Sequence, residues 1–186
     1  CLMHIDLPKS YHFIDNLNIK NIEKLNKKVA LIYRNYNKKP DDKEIRIFKN
    51  YCKRYNKKFF MSNYFDIVKK FNLDGFYIPS FNEKLIYSLA AKKLNLTIIG
   101  SAHNLKEIRV KEKQGVQLIF LSPLFKNKNS NKSLGLYKYN YLSHLTKLPT
   151  IALGGITKTN FKLLKLLKTY GFASISFFKE NINYGQ

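Results

Sequence analysis

The sequence predicts an α/β fold: a single parallel (βα)8 TIM barrel with the last helix reduced or missing. Three observations predict it. Eight short apolar runs alternate with helical stretches, the order that parallel crossovers produce. One run, Val116–Leu121, is almost continuously apolar, as suits a strand buried on both faces. The count of eight favours closure over an open doubly wound sheet. The 186 residues are few for a barrel, which typically takes ~250. About nine residues follow the eighth run, so the deficit is expected at the last helix. No linker or low-complexity segment divides the chain, and residues 1–186 are read as one domain.

Tyr11–Asp15 reads as the first strand and Ile19–Lys28 as a polar helical stretch. Val29–Arg34 is the second strand. Asp41 and Asp42 open a helix to about Asn56, because acids in a first turn suit the dipole. Ile45, Phe48 and Cys52 repeat there at helical spacing. Phe59–Ser62 is a strand, Phe65–Phe71 a helix, and Gly75–Ile78 a strand. Glu83–Leu94 is a helix with Leu85, Ile86, Leu89 and Ala90 on one face. Leu96–Ile99 is strand five and Leu105–Lys113 a helix, with Asn104 as its N-cap. After strand six, Leu136–Thr146 is a helix, Thr150–Leu153 strand seven, Asn160–Tyr170 a helix and Phe172–Phe177 strand eight.

Lys and Arg number 34 against 12 Asp and Glu, a formal charge of +22. Thirty of the 34 are Lys and four are Arg, spread along the chain beside abundant Asn, Ile, Phe and Tyr. That is the composition of AT-rich coding, and it reads as solvated helix faces rather than a nucleic-acid stripe. The sequence carries no RNA- or DNA-binding motif, so nucleic acid is not the expected partner. No apolar run approaches the ~18 residues of a membrane span. Two cysteines, Cys1 and Cys52, make no disulfide framework, and a reducing cytoplasmic setting is expected. A chain starting with Cys is expected to be a fragment or a processed product.

The chemistry-bearing candidates lie at strand ends. Gly154 and Gly155 follow strand seven, where glycines let the backbone approach an anion closely; a tight turn is the bland alternative. Ser176, late in strand eight, could add a hydroxyl. Ser101 and His103 end strand five, and an imidazole there suits general acid/base work. Ser122-Pro123 closes strand six. Arg34 ends strand two; a lone Arg there is either an ion pair or a fork for phosphate.

Tyr33-Arg34-Asn35-Tyr36, Leu73-Asp74-Gly75-Phe76-Tyr77-Ile78, Ser101-Ala102-His103-Asn104-Leu105, Leu121-Ser122-Pro123-Leu124-Phe125, Leu134-Gly135-Leu136 and Ala152-Leu153-Gly154-Gly155-Ile156 stand in this order. Over about Tyr11–Phe178 the chain resembles the thiamine-phosphate synthase/TenI family, in the form of a short alphaproteobacterial-like branch. The resemblance implies a (βα)8 barrel that joins a hydroxymethylpyrimidine diphosphate to a thiazole phosphate with Mg²⁺. It implies phosphorylated pyrimidine and thiazole small molecules as partners. By position it implies Arg34 on the diphosphate, Ser101 on the pyrimidine substrate, and Ser62 in place of a family asparagine. Asn127 and Asn129 stand for the family's threonines around the thiazole phosphate, and Ser130 for the lysine after them. Gly154, Ile175 and Ser176 would hold that phosphate. The two metal-binding aspartates fall at Asn63 and Asn82, and a second-strand lysine at Tyr36. Neutral Asn is a poorer Mg²⁺ ligand than carboxylate. Lys126, Lys128 and Lys132 are the nearest replacement charges.

Three function classes follow. The first is a synthase with altered metal dependence. The second is a TenI-like tautomerase with His103 as acid/base, or a binding-only relative. The third is a basic nucleic-acid-binding domain.

Overall fold

A computed structural model describes residues 7–94, 96–127 and 131–178, with the side chains of 88 and 90–92 excepted. Eight parallel strands close in chain order into a barrel: β1 Ser10–Ile14, β2 Val29–Tyr33, β3 Phe59–Ser62, β4 Gly75–Ile78, β5 Thr97–Ala102, β6 Leu118–Leu121, β7 Thr150–Leu153 and β8 Gly171–Ser174. The expected barrel is therefore the observed one. Closure is carried by β1 against β8, with Ser10 opposite Phe172 and His12 opposite Ser174.

The period of two along each strand divides the side chains into two sets. Tyr11, Phe13, Ile32, Phe60, Tyr77, Ile99, Phe120 and Ile151 pack together inside the barrel. Leu31, Met61, Phe76, Ile98 and Leu121 face the outer layer. Phe120 sits at the centre of an edge-to-face group with Tyr11, Phe13 and Tyr77, at 5.0–6.1 Å between centroids. Within the strands, two positions are closed to a side chain. A Cβ on Gly75 would stand 2.4 Å from the Phe60 ring, and one on Gly171 would stand 1.8 Å from the Lys9 carbonyl oxygen.

The outer layer holds α1 Asp42–Arg54, α2 Phe65–Phe71, α3 Tyr87–Leu94, α4 Leu105–Lys113 and α5 Gly135–His144. Asp41 and Glu44 form a capping box at the start of α1, and Ile45, Phe48 and Cys52 are its buried face. Asn104 caps α4.

Three helical expectations are corrected. Of Ile19–Lys28 only a 3-10 turn, Ile19–Asn21, forms. The Asn18 and Asn26 side chains accept from the N–H groups of Lys20 and Lys28, which offers the backbone turns instead of a helix. Asn160–Tyr170 is likewise a 3-10 segment, Phe161–Leu166, because Asn140 Oδ1 accepts from the Lys168 N–H and Asn160 is used by the loop before it. The helix expected from Glu83 starts at Tyr87. Tyr87 docks on Phe65 and Phe76, whereas Leu85, Ile86 and Leu89 are exposed. The Ala90 side chain lies outside those described. β8 ends at Ser174, so Ser176 is not a strand residue. Residues 176–178 are helical and 179–186 lie outside the described residues, where the expectation of a reduced last helix falls.

Candidate functional site

The inward period of two continues past the apolar interior at the C-terminal strand ends. Two residues beyond Ile32, Phe60, Ile99 and Phe120 stand Arg34, Ser62, Ser101 and Ser122. The barrel is thus plugged with apolar side chains below and lined with polar ones above, the end at which barrel enzymes work.

Arg34 is half-buried, with its guanidinium 4.4 Å from the centroid of the Phe13 ring. None of the ion pairs among the described residues involves it. Hydroxyls surround it. The Tyr36 phenol lies beside both Arg34 and Ser62, and the Tyr77 phenol beside Arg34 and Ser101. Burial pushes the Tyr77 phenol up to about 12, with the Arg34 charge opposing it. Ser62 Oγ is buried with no hydrogen-bond partner. Next to this cluster a cavity of about 580 Å³ is lined by His12, Phe13, Asp15, Arg34, Tyr36 and Ile175 among others. The cavity brings Arg34 and Ile175 together.

His103 follows β5. Its Nδ1 lies 2.6 Å from the Ser122 carbonyl oxygen, which only accepts, so Nδ1 carries the proton. In the neutral ring Nε2 then accepts from Ser80 Oγ at 2.9 Å. The backbone N–H of His103 donates to Glu107 Oε2 at 2.8 Å, which ties the residue to the capped start of α4. The cap reading and the acid/base reading of this segment are therefore compatible.

The glycine pair serves the loops. Gly154 and Gly155 have φ of +99° and +67°. A Cβ on Gly154 would lie 2.9 Å from Pro123 Cα, and one on Gly155 would lie 2.6 Å from the Phe125 and Lys126 carbonyl oxygens. Both glycines are needed for the close approach of the β6 loop. Asn160 Nδ2 donates to the Gly155 carbonyl, and Asn160 Oδ1 accepts from the Thr157 N–H. Among the described residues no loop carbonyl or side chain accepts from the Gly155 N–H. Ser176 is exposed beyond β8. It is Ser174 whose hydroxyl donates to the Ile156 carbonyl and accepts from the Phe177 N–H. Asn127 is half-buried at the start of the polar loop; Asn129 and Ser130 lie outside the described residues.

The two positions expected to hold Mg²⁺ do not fit a divalent ion. Asn63 is neutral and occupies a left-handed turn at φ +67°. Asn82 is consumed by its own loop: Oδ1 accepts from the Lys84 N–H and Nδ2 reaches the Tyr87 hydroxyl at 3.4 Å. The Asn82 carbonyl accepts from Lys111 Nζ at 2.7 Å and Gln114 Nε2 at 2.8 Å. Among the described residues no three His, Cys, Asp or Glu side chains gather as a metal set.

Lys111 on α4 and Gln114, its C-cap, are fully buried, one helical step and two beyond Ile108. Lys111 Nζ also donates to the Pro79 carbonyl and Gln114 Oε1, both at 2.8 Å. Burial pulls this ammonium down to about 8 while Glu107 and Glu83 hold it up, and three oxygen acceptors at 2.7–2.8 Å suit its charged form. This pair suspends the loop that carries Ser80 and Asn82. Lys111→Met should cost about 2–3 kcal/mol, because buried carbonyls lose charge-assisted donors. Urea unfolding would read it, and a loss below about 0.5 kcal/mol, the level of an ordinary surface change, would mean that the loop does not depend on Lys111.

Tyr77, Ser80 and Lys111 are not singled out as site-building residues by the sequence, and Tyr36 is named there only as the position of a family lysine. Each had a usable signal: hydroxyls at strand ends, and a lysine and a glutamine on the buried face of an amphipathic helix.

Comparison with known proteins agrees with the fold. The profile of the family described as "Thiamine monophosphate synthase" matches residues 19–178. The chain is 29% identical over 189 residues to "Putative thiamine-phosphate synthase 2" of Aquifex aeolicus (strain VF5), covering 95% of this chain and 100% of that one. It is 34% identical over 119 residues to a "Thiamine-phosphate synthase" of Prochlorococcus marinus, covering 61% of this chain and 34% of that one. Thus the chain spans all of the first relative and about a third of the second. A solved thiamine phosphate pyrophosphorylase from Pyrococcus furiosus superposes with a TM-score of 0.72 at 20% identity, covering 94% of this chain and 92% of that one, a likeness of fold. Since the profile takes in most of the chain, from the turn before β2 to the end of the described residues, the chain belongs to the thiamine monophosphate synthase family.

Proposed function

We propose that this protein acts in thiamine biosynthesis as a transferase, coupling hydroxymethylpyrimidine diphosphate to thiazole phosphate. The observation that carries the reading is Arg34: an arginine without an ion pair among the described residues, stacked on Phe13, ringed by hydroxyls and facing a cavity. In the coupling, the bond between the pyrimidine methylene carbon and the diphosphate oxygen breaks, and its electron pair leaves with the diphosphate. The thiazole nitrogen lone pair then forms the new carbon–nitrogen bond. Such a step demands neutralisation of the departing charge, and a fork of fixed N–H donors suits it. Ser101 beside Tyr77 would face the pyrimidine end. Gly154 and Gly155, with Ile175, Ser176 and the Asn127–Ser130 loop, would hold the thiazole phosphate. Among the described residues no helix is long and apolar enough to cross a membrane.

The second reading, a thiazole-phosphate tautomerase, is favoured by the geometry of His103. Its Nδ1 proton is held by the Ser122 carbonyl, and Nε2 is left as the base, with Ser80 as its partner. A binding-only relative is the remaining form of this reading. The deciding experiment incubates purified protein with both phosphorylated substrates, and with the thiazole phosphate alone, with and without Mg²⁺. Release of diphosphate with formation of thiamine phosphate supports coupling. Isomerisation of the thiazole phosphate alone supports the second reading, and neither product leaves binding only.

A further inference from the structure

We propose that this chain binds the diphosphate end of its ligand without a divalent cation, through Arg34 and the surrounding hydroxyls of Tyr36, Ser62 and Tyr77. The inference deepens the coupling reading at one end of its site. Three features carry it.

First, the donors needed for a metal are committed elsewhere. Asn63 and Asn82 bring no charge, and the Asn82 amide is tied to Lys84 and Tyr87. Its carbonyl already accepts two donors, one of them the ammonium of Lys111 at 2.7 Å. A fixed cation directly behind position 82 repels a second one. Asp15 is the one carboxylate lining the cavity, and its Oδ1 accepts from Asn16 Nδ2 at 2.7 Å. A Mg²⁺ ion needs several oxygen ligands in near-octahedral array, and no second acid joins Asp15 in a metal set among the described residues.

Second, the positive charge and donors that an anion needs are present, tied among the described residues to one another and not to a carboxylate. Arg34 has no ion pair among the described residues. Its guanidinium carbon lies 4.4 Å over the Phe13 ring, and a guanidinium is a fork that suits two parallel N–H···O bonds to an anion. Ser62 Oγ is buried, makes no hydrogen bond of full geometry and has only the Tyr36 phenol beside it, so it keeps capacity for a ligand.

Third, Tyr36 links the two halves. Its phenol lies beside Arg34 and Ser62, while its ring packs edge-on against Phe81 at 5.6 Å, next to Asn82. The side chain thus touches the loop that would have carried a metal with its ring and the arginine's surroundings with its hydroxyl. Tyr77, beside Arg34 and Ser101, supplies a further donor from β4. Neutral O–H donors around one arginine can satisfy many oxygens of an anion with no ion to recruit.

The test is calorimetric titration of the whole chain with inorganic diphosphate, once in EDTA and once in millimolar Mg²⁺. Binding should survive EDTA with a Kd within about threefold of the value in Mg²⁺. Arg34→Gln should weaken binding in EDTA by at least about tenfold, the loss of one charged bidentate contact. Tyr36→Phe, which keeps the ring on Phe81 and removes only the hydroxyl, should weaken it by about three- to tenfold. Binding that appears only with Mg²⁺ overturns the proposal, as does no binding in either buffer. So does EDTA binding that neither substitution changes. Because the probe is diphosphate alone, a protein that binds it in EDTA but forms no thiamine phosphate retains this inference and loses the coupling reading.

Discussion

Gly171→Ala should cost the protein about 3 kcal/mol or more, and equilibrium unfolding in urea should show it as a fall in midpoint. The added methyl would have to occupy a point 1.8 Å from the Lys9 carbonyl oxygen, and 2.6 Å from its carbon. Both are backbone atoms, so no rotamer change relieves the contact. Lys9 also accepts the Phe172 N–H through that same oxygen at 2.9 Å, in the seam where β1 meets β8. Relief means parting the strands that close the barrel, and every other strand pair depends on closure. Overpacking in a core costs typically ~1–3 kcal/mol when side chains can yield, and here they cannot. Against a domain stability of about 5–15 kcal/mol the loss is large. For a chain of this size it corresponds to a fall in Tm of about 6–12 °C. A midpoint unchanged within error would show that the seam breathes enough to admit a methyl.

The seam illustrates what can and cannot be read from residue types. The barrel is legible because each strand is a short β-branched or aromatic run between polar helical stretches, and eight such units in sequence leave few topologies. β3, β4 and β7 fall where the pattern puts them, since Ser62, Ile78 and Leu153 end runs that turn chemistry cuts off sharply. The first and last helical stretches depart from the pattern for a common reason. Asn18, Asn26, Asn140 and Asn160 spend their side chains on nearby backbone N–H groups, a competition that hydrophobic periodicity does not register. α3 starts later than its pattern implies because its start depends on Lys111 and Gln114, which come from the next helix and hold the Asn82 and Lys84 carbonyls. The site is legible in part. Arg34, Ser62 and Ser101 sit in phase with the apolar interior, so strand alternation alone points them at the mouth of the barrel. Ser176 departs because β8 stops after four residues and the chain turns into a helix. Tyr77 reads as an ordinary aromatic residue and Tyr36 as a replaced lysine, and only the folded geometry shows their hydroxyls beside Arg34.

The two enzyme readings separate most sharply at Arg34 and His103. Arg34→Ala should reduce coupling by about 10²–10³-fold, the usual loss on removing a donor aimed at developing charge. Arg34→Lys should recover little of it, because an ammonium cannot give the parallel pair of bonds or stack on Phe13 as a plane. His103→Gln should leave coupling within about tenfold of the parent, since no proton transfer to an imidazole is needed for diphosphate to depart. The same substitution should abolish tautomerisation, where a positioned acid/base contributes about 10²–10⁴-fold. Gln keeps the length of the side chain but has no group that cycles a proton near neutral pH. Ser80→Ala adds a control. If His103 works as a base whose Nε2 is held by Ser80, removing that hydroxyl should lower the rate of tautomerisation while the enzyme stays folded. Rates for these four variants against both reactions sort the outcomes. Coupling at the parental rate in Arg34→Ala would remove Arg34 from the diphosphate site. Tautomerisation untouched by His103→Gln would leave His103 as a residue that ties the start of α4 to Glu107 and Ser122 and does nothing more.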